Sequence, residues 1–378
     1  MKAIRVRLYP TAEQTDFLNQ QFGAVRKVYN LGLAIMQNRY RYHGQSLKPK
    51  KDLKPLLSVA KRSRKYAWFG QYDSTALQQA VINLDKAFER FFKRQGGYPK
   101  FKSKHGRQSS YHCSGSIGYG ENWIKIGKLR TPIKARIHRE IEGRVSSITI
   151  SRLPSGKHYA SLILADHLTK APAPLKALMT DEVLGVDVGL THVVIDSNGH
   201  KQDNPRFLNH AMRNLRRKQK NLSRKAKGSK SRGKARLLVA KCHEKLSHTR
   251  NDFQHKLSKT MVDDNQAIIV ETLKVKNMLK NRKLSRHISD VSWNSLLVKL
   301  EYKSKDAGKP FKKIEQWYAS SKTCCVCHKQ VEELSLSIRH WQCQHCGVLH
   351  DRDINAAKNI KHQGLIMLKA EGLSVSAN

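Results

Sequence analysis

Cys324-Cys325-Val326-Cys327, then fifteen intervening residues, then Cys343-Gln344-His345-Cys346-Gly347 and His350-Asp351-Arg352-Asp353-Ile354-Asn355-Ala356-Ala357 form the stretch around which this chain is organised. Two C-x-x-C pairs at that separation have the spacing of a four-thiolate zinc site. Each pair makes one tight knuckle, and two knuckles supply the four soft ligands of a closed tetrahedron. The spacing selects Cys324, Cys327, Cys343 and Cys346 and leaves Cys325 as an extra thiol. His328 and His345 are possible substitutes, and a disulfide pair is the competing reading.

Beyond the second knuckle, Asp353, Ala356, Ala357 and Ile360 fall at i, i+3, i+4 and i+7, one face of a helix. That face is apolar except for its first residue. A carboxylate heading a buried stripe is costly unless something positive meets it. Asp353 is therefore either a helix-start residue favoured by the dipole or a metal ligand with partners elsewhere. Asp351 lies off the stripe.

The chain has 378 residues, room for two or three domains. Lysine and arginine outnumber aspartate and glutamate 72 to 29, a formal charge of +43. Such a chain repels itself unless a polyanion neutralises it, so nucleic acid is the expected partner. No segment has the length of a transmembrane helix, and Met1-Lys2-Ala3-Ile4-Arg5-Val6 lacks the apolar core of a signal peptide. Seven cysteines, four of them in zinc spacing, suit a reducing compartment. These features predict a cytoplasmic protein, associated with the nucleoid when bound to DNA.

Ile4, Val6 and Leu8 alternate with Arg5 and Arg7, a short strand with a basic face. After Pro10, Thr11-Ala12-Glu13-Gln14 matches a capping box, and apolar residues continue at helical spacing to Leu31. A second such run extends from Ala76 to Phe92, so 11–95 reads as a helical domain. From Ser109 to Ala165 short alternating runs between glycine and proline turns predict a small β-barrel, which the first strand would join. Residues 167–182, with Ala171-Pro172-Ala173-Pro174, read as a linker.

Val183-Leu184-Gly185-Val186-Asp187-Val188-Gly189 is an apolar strand interrupted by one aspartate. Thr191 to Ile195 returns as a second strand, and Ser197-Asn198-Gly199 turns toward a third. A basic helical hairpin follows, rich in Arg213, Arg216, Arg217, Lys218, Lys220 and Arg224, whose faces suit phosphates without reading sequence. Ala267-Ile268-Ile269-Val270 has the composition of a buried strand, and Glu271 closes it. Asp187, Glu271 and Asp353 are thus three carboxylates that end or interrupt apolar elements. They are the hard oxygen ligands that would hold two magnesium ions for phosphodiester cleavage.

In this order, Gly185-Val186-Asp187-Val188-Gly189, Ile269-Val270-Glu271, the cysteine pairs and Asp351-Arg352-Asp353-Ile354-Asn355-Ala356-Ala357 resemble TnpB proteins. These are encoded by bacterial insertion sequences and are related to compact type V CRISPR effectors. The likeness extends to Val6-Arg7-Leu8-Tyr9-Pro10, Ala76-Leu77-Gln78 and Ser289-Asp290-Val291-Ser292-Trp293, nearly the whole chain. It implies an α/β multidomain protein: an RNase H-like (RuvC) nuclease, 183–320 and 349–378, with an inserted zinc-binding ribbon, 321–348. The N-terminal wedge β-barrel would be 1–10 and 96–166, carrying a helical recognition insertion, 11–95.

The resemblance further implies a monomeric ribonucleoprotein. It would carry a guide RNA from the transposon end and cut double-stranded DNA beside a short adjacent motif. Asp187, Glu271 and Asp353 would be catalytic with magnesium, and Cys324, Cys327, Cys343 and Cys346 would hold structural zinc. A guided repressor that binds without cutting and an RNA-independent junction or flap nuclease are the competing functions. His328 stands where the family usually has glycine, which predicts a different turn at the first knuckle, and the tail after Ile360 is short.

Overall fold

The computed structural model describes residues 2–104, 109–165, 177–335 and 337–376. The chain divides into two compact units, 1–169 and 170–378.

In the first unit, strand β1 (Lys2–Tyr9) runs into helix α1 (Ala12–His43). The capping box forms: Gln14 N–H donates to Thr11 Oγ1 at 3.3 Å, and Thr11 N–H donates to Gln14 Oε1 at 3.0 Å. Helices α2 (Leu56–Arg62) and α3 (Ser74–Phe92) follow, with short π and 3-10 turns around them. Leu33 of α1 and Leu77 and Leu84 of α3 are fully buried in their shared core.

Strands β2 (Ser109–Cys113), β3 (Gly118–Tyr119), β4 (Trp123–Lys125), β5 (Ile133–Arg136), β6 (Val145–Arg152) and β7 (His158–Leu164) complete an antiparallel sheet of order β2-β6-β7-β1-β5-β4-β3. β1 lies inside that order, paired to β7 and β5. Its alternation sorts the faces. Ile4, Val6 and Leu8 enter the core with Leu18 and Phe22, while the guanidiniums of Arg5 and Arg7 lie 4.2 Å and 5.2 Å from the Tyr159 ring. β2 and β3 end the order and do not pair with each other among the described residues.

In the second unit, residues 167–176 of the expected linker lie outside the described residues. The remainder is structured. β8 (Ala177–Met179) pairs in parallel with β16 (Ser374–Ser376), and Leu178 is buried. That strand is illegible locally because its partner lies about two hundred residues away.

The main sheet of this unit contains β9 (Val183–Asp187), β10 (His192–Asp196), β11 (Lys201–Asp203), β12 (Ala267–Val270) and β13 (Phe311–Lys313), in the order β11-β10-β9-β12-β13. β9, β12 and β13 are parallel; β10 and β11 return antiparallel. Between them run α4 (Phe207–Ser223) and α5 (Lys230–Asp263), the basic hairpin, then α6 (Val275–Met278), α7 (Ser285–Val291) and α8 (Trp293–Asp306). β14 (His340–Gln342) and β15 (Leu349–Asp351) form a small ladder that leads into α9 (Arg352–Ala370).

All four residues of β12 are buried because both faces of the sheet are covered. Ile268 and Val270 pack with Met261, Leu296 and Leu300 from α5 and α8. Ala267 and Ile269 face the other way, into a core with Ile360 and Leu368 of α9. Glycine sets the closeness of α9 to this face. A Cβ at Gly185 would lie 2.2 Å from the Ala357 carbonyl oxygen, and one at Gly364 would lie 2.4 Å from Ile269 Cγ2.

Candidate active site and metal centre

Period-two alternation carries the first two acids to one place. Asp187 shares the face of Val183 and Gly185, and Glu271 that of Ala267 and Ile269; this is the side covered by α9. Val186 is registered against Val270, so the next residues, Asp187 and Glu271, emerge side by side at the C-terminal ends of parallel strands. Their carboxyls hydrogen-bond each other, and Val188 N–H donates to Asp187 Oδ1 at 3.0 Å.

Burial pushes the Asp187 carboxyl well above the usual carboxylate range, and the charges of Glu271 and Asp353 push it further. Burial also raises Glu271, against the hydrogen bond from Asp187. Two like charges this close, both partly buried, favour the protonated form of each carboxyl relative to an isolated one.

Asp353 lies in the first turn of α9, one turn before Ala357 where that helix touches Gly185. It lies within electrostatic reach of Asp187, but its Oδ1 is held by Arg339 Nη1 at 3.2 Å. Asp351 plays a different part. It is the N-cap of α9, accepting from the Asp353 and Ile354 amides at 3.0 Å and 3.1 Å, and it pairs with Lys201 at 2.6 Å. These bonds hold its carboxyl below the ordinary value despite partial burial, which acts the other way. Arg339 carries no signal in sequence, because its partner is reached only through the β14–β15 ladder.

The four cysteines converge. Their sulfurs all lie within 4.8 Å of one another, with Cys324–Cys346 and Cys327–Cys343 at 3.6 Å. A tetrahedron with Zn–S bonds of 2.3 Å has edges of about 3.8 Å, so the donor set fits zinc. Among the described residues this is the one group of three or more metal-ligating side chains whose donor atoms meet so closely. Cys325 is left out, as the spacing requires.

The two knuckles repeat one design. His328 N–H donates to Cys324 O at 3.0 Å and Gly347 N–H to Cys343 O at 2.8 Å. His328 has φ 58° and Gly347 φ 73°. The histidine thus accepts the left-handed turn that glycine makes in the second knuckle, and the different turn expected there does not occur. Its ring stacks on His362, 4.4 Å between centroids. Neither His328 nor His345 belongs to the cluster; His350 adjoins it, with Nε2 3.1 Å from Cys324 Sγ. Asn355 and Asn359, both buried on α9, bind the backbone of the first knuckle: Asn355 Nδ2 to Thr323 O at 2.7 Å, and Asn359 Nδ2 to Ser320 O at 2.8 Å.

The chain is similar to known proteins over most of its length. A family model described as a probable transposase, OrfB of IS605, matches residues 167–282. One described as a Cas12f1-like TNB domain matches 293–360, and a helix-turn-helix domain model matches 1–45. In this chain the last stretch is β1 followed by a single unbroken helix. A Streptomyces pristinaespiralis protein named "Putative RNA-guided DNA endonuclease" is 38% identical over 367 residues, covering 96% of this chain and 89% of that protein. "Putative RNA-guided DNA endonuclease InsQ" of Escherichia coli K12 is 26% identical, covering 97% and 93%.

The cryo-EM structure of a Cas12f1-sgRNA-target DNA complex matches at a TM-score of 0.56 and 14% identity, over 93% of this chain and 83% of that one, a likeness of fold. Fold and site define a mixed α/β protein with a four-cysteine centre of zinc-binding type. The chain belongs to the TnpB family.

Proposed function

We propose that this protein is an RNA-guided, magnesium-dependent endonuclease of an insertion sequence that cuts double-stranded DNA, with Asp187, Glu271 and Asp353 as its catalytic acids. The observation that carries the reading is the partly buried pairing of Asp187 and Glu271 at the ends of parallel strands, with Asp353 close enough to perturb Asp187. A soluble scaffold gains nothing from burying like charges unless a cation compensates them. Hard carboxylate oxygens suit magnesium. Cations held there would activate water and take up charge on the attacking and leaving oxygens.

The residues have distinct tasks. Asp187 and Glu271 would hold the cation through their carboxylate oxygens, and its charge would favour their deprotonated forms. Asp353, now paired with Arg339, would complete the cation's ligand set, and the Arg339 guanidinium would then be available to a phosphate oxygen. Asp351 fixes the first turn of α9 and so the placing of Asp353. The sheet order, three antiparallel strands followed by two parallel ones, is that of RNase H-like nucleases and supports assigning 183–320 and 349–378 to a RuvC-like domain. Residues 321–348 are its zinc-binding insertion. The sheet formed by 1–10 and 96–166 would be the wall of a wedge barrel, and 11–95 a recognition domain. The names of the relatives, and a net charge of +43, support guide RNA and target DNA as partners of a monomeric ribonucleoprotein.

Sequencing the RNA that co-purifies, then offering the protein a duplex that matches it, tests the proposal. Magnesium-dependent cutting of the matched duplex alone is the expected result. Binding without cutting would mark a guided repressor, and cutting without RNA a junction or flap nuclease.

A further inference from the structure

Trp317 is 83% exposed, the most open large apolar side chain among the described residues. A tryptophan left in water is unusual, because the ring offers a large area for burial. The backbone beneath it is held. Ile314 N–H donates to Val270 O at 2.9 Å, Thr272 Oγ1 donates to Ile314 O at 2.6 Å, and Tyr318 packs beside the core under α9. Lys274, three residues after Glu271, places its Nζ 5.5 Å from the Trp317 ring centroid.

β9, β12 and β13 are parallel, so their C-terminal ends share one edge of the sheet. Asp187 and Glu271 leave from that edge, and so does the segment that carries Trp317. Ile314 adjoins Val270, and the three steps from Ile314 to Trp317 span at most about 11 Å. An exposed ring flanked by a cation therefore stands at the same sheet edge from which the carboxylates leave, and the chain's net charge of +43 favours a polyanion in its vicinity.

We infer that Trp317 and Lys274 form a nucleobase-stacking site for single-stranded DNA, holding a base that flanks the phosphate to be cut. The ring receives any base through its π face, while Lys274 meets the adjoining phosphate; such platforms tolerate sequence, as a guided enzyme requires. The identity of the strand rests on the nuclease reading above. Stacking itself is measurable without cutting.

The test uses the full chain with calcium in place of magnesium, at raised salt so that scattered phosphate contacts weaken. Tryptophan emission is followed as oligodeoxythymidylate is added to wild type, Trp317→Phe, Trp317→Leu and Trp317→Ala. A second series carries one abasic site at successive positions. Quenching in wild type, affinity lower on the order of tenfold in Trp317→Ala, and near-full retention in Trp317→Phe are expected. One abasic position should weaken wild type and leave Trp317→Ala unaffected. Equal affinity of wild type and Trp317→Ala for the whole series would overturn the proposal. So would rescue by Trp317→Leu as good as by Trp317→Phe, which would mark an apolar protein-docking role. A wild-type chain that stacks DNA but never cuts with magnesium would overturn the nuclease reading and leave this site standing.

Discussion

Asn355 accepts the Cys325 amide proton on its Oδ1 at 2.9 Å, and through that bond the first cysteine knuckle is fastened to the helix whose first turn carries Asp353. The same side chain donates to Thr323 O, so one buried amide closes two backbone valences of the knuckle. The four-cysteine centre is therefore a mount for the acid-bearing end of α9. Purification without chelators should yield about one zinc per chain. Asn355→Ala leaves a buried donor and acceptor unmatched and should cost about 2–4 kcal/mol in thermal unfolding, with faster zinc release. Zinc loss with melting and cutting both unchanged would refute the mount.

Gly185 is the contact on which α9 settles, since a methyl there meets Ala357 O at 2.2 Å and Lys361 N at 2.6 Å. Both are backbone atoms, which cannot swing aside. Gly185→Ala should destabilise by about 1–3 kcal/mol and lower cleavage more than guide RNA binding, because it moves Asp353 away from Asp187. Paired melting and cleavage measurements decide; wild-type values in both would mean that the helix is free to shift.

The raised Asp187 and Glu271 carboxyls give a pH signature with a definite sign. A carboxyl raised in the folded state favours the proton there. Its stabilising contribution is full below about pH 4 and is lost as pH climbs through the raised folded value. Asp187→Asn keeps a neutral, hydrogen-bonding side chain and removes that loss. Without divalent metal it should be more stable than wild type near neutral pH, by about 0.5–2 kcal/mol, and the gap should narrow toward pH 4. Magnesium affinity of wild type should rise with pH across the same window. A gap that grew on acidification would contradict the assignment.

His328 holds a left-handed φ of 58° where the other knuckle uses Gly347. His328→Gly relieves that strain but loses the stack on His362, so its effect on melting should stay within about 1 kcal/mol. Gly347→Ala, with no ring contact to compensate, should destabilise by about 1 kcal/mol and weaken zinc retention. No loss of stability in Gly347→Ala would show that the turn carries no strain.

Much of this arrangement was legible before any coordinates. Alternation along Val183–Asp187 and Ala267–Val270 already puts Asp187 and Glu271 on the faces of Gly185 and Ile269, and cysteine spacing is a local code. The Asp353 stripe likewise needs only the helical period. Other features depend on chain segments brought together from afar. Arg339 reaches Asp353 through a ladder of three-residue strands, and Ala177–Met179 has strand character only against Ser374–Ser376. Asn355 and Asn359 look like ordinary helix-surface residues until the knuckle backbone covers them. Trp317 is silent for the opposite reason: apolar pattern predicts burial, and only the fold reveals that the ring stays largely exposed among the described residues.

The most direct test of the catalytic assignment compares magnesium-dependent cleavage of a guide-matched duplex by wild type, Asp187→Ala, Glu271→Ala, Asp353→Ala and Asp351→Asn. The last keeps a capping side chain on α9 and should cost the helix little. Each alanine change should abolish cutting while guided DNA binding persists, and any two together should be no worse than one, because a single missing ligand already spoils the metal geometry. Asp351→Asn should retain most of the wild-type rate. Wild-type cutting by Asp353→Ala, together with loss of cutting in Asp351→Asn, would contradict the account.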